Sequence, residues 1–255
     1  MTIRAGGALA VLVLAVGACA SGADESAADR ADADTTTTTE REATTTTEPE
    51  PTIERVERLW TSAELADDGS AQVTEVIDYD FGVNERHGIF RYVWDLSPEA
   101  AITVESPDAP DAILVTPAAM GGRTGAMIRI GDPNVTVSGR HRYRIDYPLP
   151  AVARGTTLDW EAVGVGWEVD LEEVDIHVVA PFELLDATCS VGVTGSQGGC
   201  DVTEAAPGHL VTNVEGLDSG EGVSIEARTG SGLASAPAAP EPPATTSTPA
   251  STTPV

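Results

Sequence analysis

The chain of 255 residues contains no lysine; arginine supplies all 14 basic side chains, set against 41 acids for a net charge of −27. Without lysine there is no phosphate loop ending in Lys-Ser/Thr. An acidic surface repels phosphate backbones and anionic headgroups, so nucleic acid is not an expected partner. Histidine is scarce as well. His87, His141, His177 and His209 are scattered, and no two have the spacing that sets a pair of imidazoles on one helix face. Aromatic residues make up only 4% of the chain. No apolar run is long enough to stay in a bilayer as a spanning helix. Cys189 and Cys200, two cysteines without a companion histidine pair, fall short of a four-ligand zinc site.

What is present divides the chain into four parts. The opening "MTIRAGGALAVLVLAVGAC" has one arginine, an apolar run from Ala8 to Val16 and then small residues, the layout of a secretory signal. Its end, Val16-Gly17-Ala18-Cys19, resembles the bacterial lipobox, whose cysteine receives a diacylglycerol and becomes the new N-terminus. Residues 1–19 therefore read as a lipoprotein-type signal with Cys19 lipidated. The protein is then placed in the bacterial cell envelope, at the outer face of the membrane. Residues 20–52 carry nine acids and two arginines among runs of threonine. Such a segment cannot bury enough apolar surface to offset its ordering entropy, and it is expected to be a disordered tether. Residues 231–255, rich in Pro, Ala and Thr, read as a second disordered tail. Residues 53–230 remain as the folded domain, long enough for one substantial core.

Within that domain the pattern is of strands. "AQVTEVIDYDF" alternates with period two: Ala71, Val73, Glu75, Ile77, Tyr79 and Phe81 share one face, and Gln72, Thr74, Val76, Asp78 and Asp80 the other. Asp68-Gly69 before it is a hairpin signal that pairs this strand with the one around Val56 to Leu65. "GDPN", Gly131 to Asn134, is a further turn, joining "AMIRI" to "VTVSGRHRYRIDY". Glycine and proline punctuation is frequent, and no segment has a 3.6-residue apolar stripe. The expected fold is an all-β, immunoglobulin-like sandwich of two antiparallel sheets, flanked by disordered tails. The Cys, Trp, Cys hallmark of immunoglobulin domains is missing. In an oxidising compartment Cys189 and Cys200 form an even pair, and a bridge across so short a loop staples one hairpin or loop, not two sheets. It contributes about 2–3 kcal/mol by restricting the unfolded chain.

Candidate chemistry is thin. Thr194-Gly195-Ser196-Gln197-Gly198 lacks the first glycine of a nucleophile elbow. Asp78, Asp80, Asn84 and Glu85 do not follow the calcium-loop spacing. No catalytic, metal-ligating or cofactor-binding residue is assigned, and no cofactor is expected. Glu75 is the carboxylate that stands out. It shares its face with Val73 and Ile77, where an unpaired charge is costly. On "GIFRYVW", Arg91 interrupts the apolar row of Ile89 and Val93 in the same way. Two misplaced charges of opposite sign point to an internal ion pair between neighbouring strands. The alternative is a general acid tuned by an arginine in a cleft. Asn84 to Gly88 reads as the turn before the "GIFRYVW" strand, with His87 at its exposed end. Arg140, Arg142 and Arg144 form a basic stripe, read first as a solvated face balanced by acids across the strand pair. The stripe is read second as a docking strip for an anionic glycan or a protein partner.

"DDGSAQVTEVIDYDF", "HGIFRYV", "IRIGDPNVTVSGRHRYRIDY" and "LDWEAVGVGWEVDLEEVDIHVVAP", in this order, resemble the N-terminal domain of a bacterial predicted-membrane-protein family, domain-of-unknown-function family 2207. The likeness runs from Val56 to Arg228 and includes the cysteine pair. It implies an extracytoplasmic β-domain with no established activity. Such proteins usually continue into transmembrane helices and a glycine-rich tail; here the lipid on Cys19 is expected to take the helices' place as anchor. The expectation is a tethered lipoprotein acting as a binding module, with an envelope protein or a glycan as partner. An envelope hydrolase using Glu75 or a nearby aspartate, and an accessory subunit of a membrane complex, are the alternatives.

Overall fold

Residues on the two faces of "AQVTEVIDYD" meet opposite environments, and the architecture follows from that division. A computed structural model describes residues 53–120, 122–194 and 198–244. The signal (1–19), its Cys19 and the tether (20–52) lie outside the described residues, as do 245–255 and most of the Thr194–Gly198 motif.

The described residues form fifteen strands and no helix. Seven make one sheet in the order β13 (Thr203–Ala206), β14 (His209–Leu217), β10 (Leu171–Val179), β1 (Arg55–Leu65), β2 (Ala71–Asp80), β7 (Arg140–Leu149) and β4 (Thr103–Glu105). Five make a second: β12 (Gly198–Cys200), β11 (Phe182–Gly192), β15 (Gly222–Gly232), β9 (Thr157–Val163) and β8 (Ala153–Arg154). Three make a third: β3 (Ile89–Trp94), β6 (Arg123–Ile130) and β5 (Ile113–Met120). The all-β expectation thus holds, but three sheets replace the expected two. One contact between neighbours is parallel, β1 against β10, with Val56 facing Leu171. Strand alternation gives no sign of a partner's direction, so a parallel neighbour more than a hundred residues away was invisible to it.

The β1–β2 hairpin lies where Asp68-Gly69 put it. Gly69 has a φ of 81°, and a Cβ there would run into the Ala153 backbone; its carbonyl accepts from Val152 N at 2.8 Å and Ala153 N at 3.0 Å. Both the positive φ and the close approach require glycine. "GDPN" plays a different part from a hairpin. β6 pairs with β3 and β5, β7 with β2 and β4, so the turn carries the chain from the small sheet to the large one. "VTVS" before β7 is not strand; the strand begins at Arg140.

One core joins all three sheets. Leu59, Ile77 and Tyr143 come from the large sheet, Trp160, Val223 and Ile225 from the second, and Val93, Ile128 and Ile130 from the third. Each aliphatic side chain buried there contributes about 1.5–3 kcal/mol by leaving water.

Candidate functional site

β3, "IFRYVW", organises both a buried ion pair and a surface groove, because period two sends its residues alternately to two places. Ile89, Arg91 and Val93 face inward. Arg91 donates from Nε to Glu75 Oε2 and from Nη2 to Glu75 Oε1, both at 2.8 Å, in a bidentate fork. Tyr147 OH donates to Glu75 Oε1 at 2.6 Å, and Arg91 Nη1 donates to the Tyr92 carbonyl at 2.5 Å. The guanidinium carbon also lies 5.4 Å from the Trp167 ring centroid. Glu75 has no exposed surface and Arg91 is 3% exposed. Burial alone pulls the Arg91 guanidinium down, but the charge and hydrogen bonds of Glu75 more than reverse this, and its pKa is raised. Tyr147 is pushed well above the usual phenol range, by burial first and by Glu75 second. Both Glu75 oxygens are engaged by Arg91 and Tyr147, and the carboxylate has no exposed surface.

Phe90, Tyr92 and Trp94 face the other way. Across the ladder they lie opposite Arg129, Met127 and Gly125. Phe90 is 52% exposed, whereas Trp94 is covered by Arg123, 5.8 Å from its ring centroid. Beside them runs the loop Val163-Gly164-Val165-Gly166-Trp167. A Cβ on Gly166 would stand 3.0 Å from the Tyr92 ring, and one on Gly164 3.6 Å from Trp94 Nε1. Gly166, and not Gly164, is the glycine that lets the loop lie close against the aromatic row.

Between row and loop is a groove of about 1070 Å³ bordered by Ile53, Val83, Phe90, Tyr92 and Trp167, with Glu54, Asn84, Arg86, Glu168 and Asp170 among its polar members. A second hollow of about 490 Å³ shares Tyr92, Gly166, Trp167 and Glu168 and continues past Trp94 to Pro117 and Ala118. The polar end is fixed. Glu54 accepts from Tyr79 OH at 2.8 Å, from Arg86 Nη2 at 2.8 Å and from Asn84 Nδ2 at 3.2 Å. Burial raises the Glu54 pKa, but the bonds from Arg86 and Tyr79 outweigh it and leave the carboxyl below its ordinary value. Glu54 therefore stays ionised, which suits an orienting anion and not a proton donor. Trp167 is 5% exposed and forms a floor held from beneath by Arg91. Ion pair and groove are thus two sides of one strand.

The remaining candidates lie apart. Cys189 and Cys200 are bonded, Cα atoms 5.1 Å apart and in register, joining β11 to β12 at the edge of the second sheet. Asp78 pairs with Arg142, Asp80 with Arg55, and Asn84 with Glu54, while Glu85 is exposed; no shared cation pocket results. Among the described residues no group of three or more His, Cys, Asp or Glu is placed to hold a metal ion. The stripe on β7 is met by acids: Arg140 by Glu57, Arg142 by Asp78 and Arg144 by Asp146. His87 is exposed at the turn, with Nδ1 3.0 Å from the Val135 carbonyl. His177 and His209, well separated in sequence, meet with Nδ1 and Nε2 3.1 Å apart.

Sequence reasoning used β3 to place Arg91 and passed over the aromatic row. The same alternation that turns Arg91 inward turns Phe90, Tyr92 and Trp94 outward, so the signal was present. Nothing local announces that Trp167 returns to the same place.

Comparison with known proteins adds three findings. The family described as "Predicted membrane protein (DUF2207) N-terminal domain" matches residues 55–229. No curated protein matches the chain. Two solved structures are similar in part. One is a Parabacteroides distasonis protein described as a candidate protease, at 10% identity and a TM-score of 0.42, over 68% of this chain and 40% of that one. The other is native leukotriene A4 hydrolase from Saccharomyces cerevisiae, at 7% identity and 0.41, over 74% of this chain and 32% of that one. The chain spans less than half the length of either. Among the described residues no helix is long and apolar enough to cross a membrane.

Proposed function

The chain belongs to the Predicted membrane protein (DUF2207) N-terminal domain family, and from that premise we propose that it is an envelope binding module whose ligand surface is the groove over β3. The observation that carries this reading is the aromatic row Phe90 and Tyr92 above the Trp167 floor, closed at one end by the Glu54–Arg86 pair. Rings that offer an apolar face beside fixed donors and acceptors suit a ligand with the same division, such as the pyranose rings of an envelope glycan. The lipid on Cys19 and the tether of residues 20–52 hold the domain at the outer face of the membrane in this reading. The large and second sheets, which share one core, form an immunoglobulin-like sandwich to which the third sheet is added. The hydrolase alternative, which names Glu75 or a nearby aspartate as acid, is not supported by Glu75, which has no exposed surface.

The test is a photo-crosslinking residue at Phe90 in the full-length chain, activated in the intact native envelope. Glycan adducts at Phe90, and none from a control probe at Glu226 on the second sheet, are expected. Phe90→Ala with Tyr92→Ala should lower retention of the purified protein on envelope glycan at least tenfold. Equal retention of that double variant, or adducts to a protein alone, would overturn the glycan reading. The anchor is tested separately: Cys19→Ala is expected to abolish lipid labelling and membrane retention, and unchanged labelling would sink that part.

A further inference from the structure

The outer face of the seven-stranded sheet buries apolar residues that the core does not explain. Alternation sends Trp60 of β1, Val76 of β2 and Val179 of β10 to this face, away from Leu59, Ile77 and Val178. All three are buried, at 4%, 4% and 5% exposure, yet none belongs to the core cluster. Ser62 on the same face is 2% exposed. Trp60 lies beside Val76 and Asp175 in one row of the ladder, and the row continues through Arg144 to Glu105.

Trp60 also has the His177 ring beside it, centroids 5.5 Å apart, and two anchors fix the ends of a segment that starts near Val179 and finishes at Val76. After β15, Leu233 N donates to the Pro181 carbonyl at 2.8 Å, and Leu233 Cδ1 packs on Gly208, at the Val179 end of β10 and the start of β14. Ten residues later Arg142 Nη1 donates to the Pro243 carbonyl at 3.0 Å. Pro242 and Pro243 share a cleft there with Val76, Glu105, Pro107 and Arg144. From the first anchor to the second, Pro237, Pro240 and Pro243 are half-buried at a spacing of three, with Pro242 half-buried beside the last of them, while Ala236, Ala238, Ala239 and Glu241 are exposed. A three-residue repeat of burial is the signature of a polyproline II helix lying on one edge, at about 3.1 Å per residue. Ten such residues reach roughly 31 Å. That exceeds the roughly 19 Å between β14 and β7 at about 4.8 Å per strand, and leaves length for a diagonal path.

We propose that the outer face of the seven-stranded sheet is a docking site for a polyproline II segment, occupied in this chain by its own residues 233–244. Trp60, Val76 and Val179 are the apolar track, and Arg142, held by Asp78 on one side, reads the carbonyl of the last proline. A polyproline helix carries no internal hydrogen bonds, so its carbonyls are free to accept from such a donor. The ligand class is a proline-rich peptide with proline at every third residue.

The test uses the full-length chain with Cys19→Ser, labelled with nitroxides at Glu85→Cys and Ala244→Cys, and reads the distance between labels. A single narrow distribution is expected. Pro237→Gly, Pro240→Gly and Pro243→Gly together should broaden it, and Arg142→Gln should broaden it alone if the triple variant does not fold. A broad distribution in the parent chain would overturn the proposal. A fluorescent peptide of residues 233–244 should bind the triple variant, or Arg142→Gln with lower affinity, at least tenfold more tightly than it binds the parent, whose own tail fills the site. No binding to a folded variant overturns the site. Coupling between singly labelled chains after mixing would show that the tail crosses to a second copy, overturning occupancy by its own chain.

Discussion

On the inner face of the seven-stranded sheet a carboxylate, Glu75, has no exposed surface among aliphatic side chains; on the outer face Trp60 is 4% exposed among charged ones. Each residue is out of place by the pattern of its strand, and each is answered differently. Glu75 is met by one geometry: a bidentate arginine from another sheet and a phenol hydrogen bond. That answer is directional and intolerant, because removing either ion leaves the other buried without its counter-charge. Trp60 asks only for cover, and under the proposed docking of residues 233–244 a proline-rich segment supplies it without a fixed register of hydrogen bonds. A charge out of place therefore specifies its partner's identity, while an apolar residue out of place specifies only that something lies over it.

The largest expected effect comes from breaking the inner answer. Arg91→Met should cost about 3–5 kcal/mol in chemical denaturation, since Glu75 is left buried and unpaired. Adding Glu75→Gln should recover most of that loss, the amide oxygen still accepting from Tyr147. If the double variant is no more stable than Arg91→Met alone, the pair is not what makes the site intolerant. Because Arg91 also touches Tyr92 and Trp167, near-ultraviolet dichroism should change with the single variant and return in part with the double.

Next is the outer face. Trp60→Ala should cost roughly 3–5 kcal/mol if the tail makes it a true core position, and clearly less if the ring only lies along a surface. The comparison sharpens in a double-mutant cycle with Pro237, Pro240 and Pro243 changed to glycine. Coupling of about 0.5 kcal/mol or more is expected for groups in contact. Simple additivity would place the cover of Trp60 elsewhere.

How far the sequence showed these two faces follows from the same asymmetry. Glu75 was legible because it breaks a clean alternation within β2, and Arg91 because it breaks one in β3; opposite signs then matched them. Val76 breaks the polar face of Gln72, Thr74 and Asp78 in the same way, but it was not singled out. In β1 the pattern is blurred, since the pairing register shifts between Val56 and Arg58 and Leu59 and Trp60 are adjacent and both apolar. The outer track was therefore hidden. So was the third sheet, because alternation reports which side of a strand is buried and says nothing about which strand is its neighbour. The groove needed Trp167 brought back against β3, a long-range contact with no local mark. The short link between Cys189 and Cys200 was legible because spacing alone limits it to a local staple.

Titration separates the faces further, with a smaller effect. His177 and His209 lie at the outer face, and both have lowered pKa values. For His177 burial is the first cause and the neighbouring His209 the second, with Asp175 opposing; for His209 burial is the cause. A base with a folded pKa below its unfolded one binds protons more readily when unfolded. The stability it contributes is complete above about pH 6.5 and declines as pH falls from there through the lowered folded pKa. Denaturation midpoints should therefore drop as pH falls below about 6.5, and His177→Gln should flatten that slope. A slope unchanged by His177→Gln would show that His177 does not carry the pH dependence.

The smallest effect is the most direct comparison of like with like. Arg144 and Asp146 form an ion pair at 2.9 Å on the outer face, nearly the separation of Arg91 and Glu75, but Arg144 is 43% exposed. Equal distance gives unequal consequence when water can replace the partner. Arg144→Ala should cost about 0–1 kcal/mol, most of it removed by about 1 M salt, whereas the Arg91 effect should persist there. Should the two variants respond alike to salt, solvent access would not be what distinguishes the two faces. The inner pair would then owe its cost to packing around the guanidinium, as the Trp167 contact provides, and not to an unpaired charge.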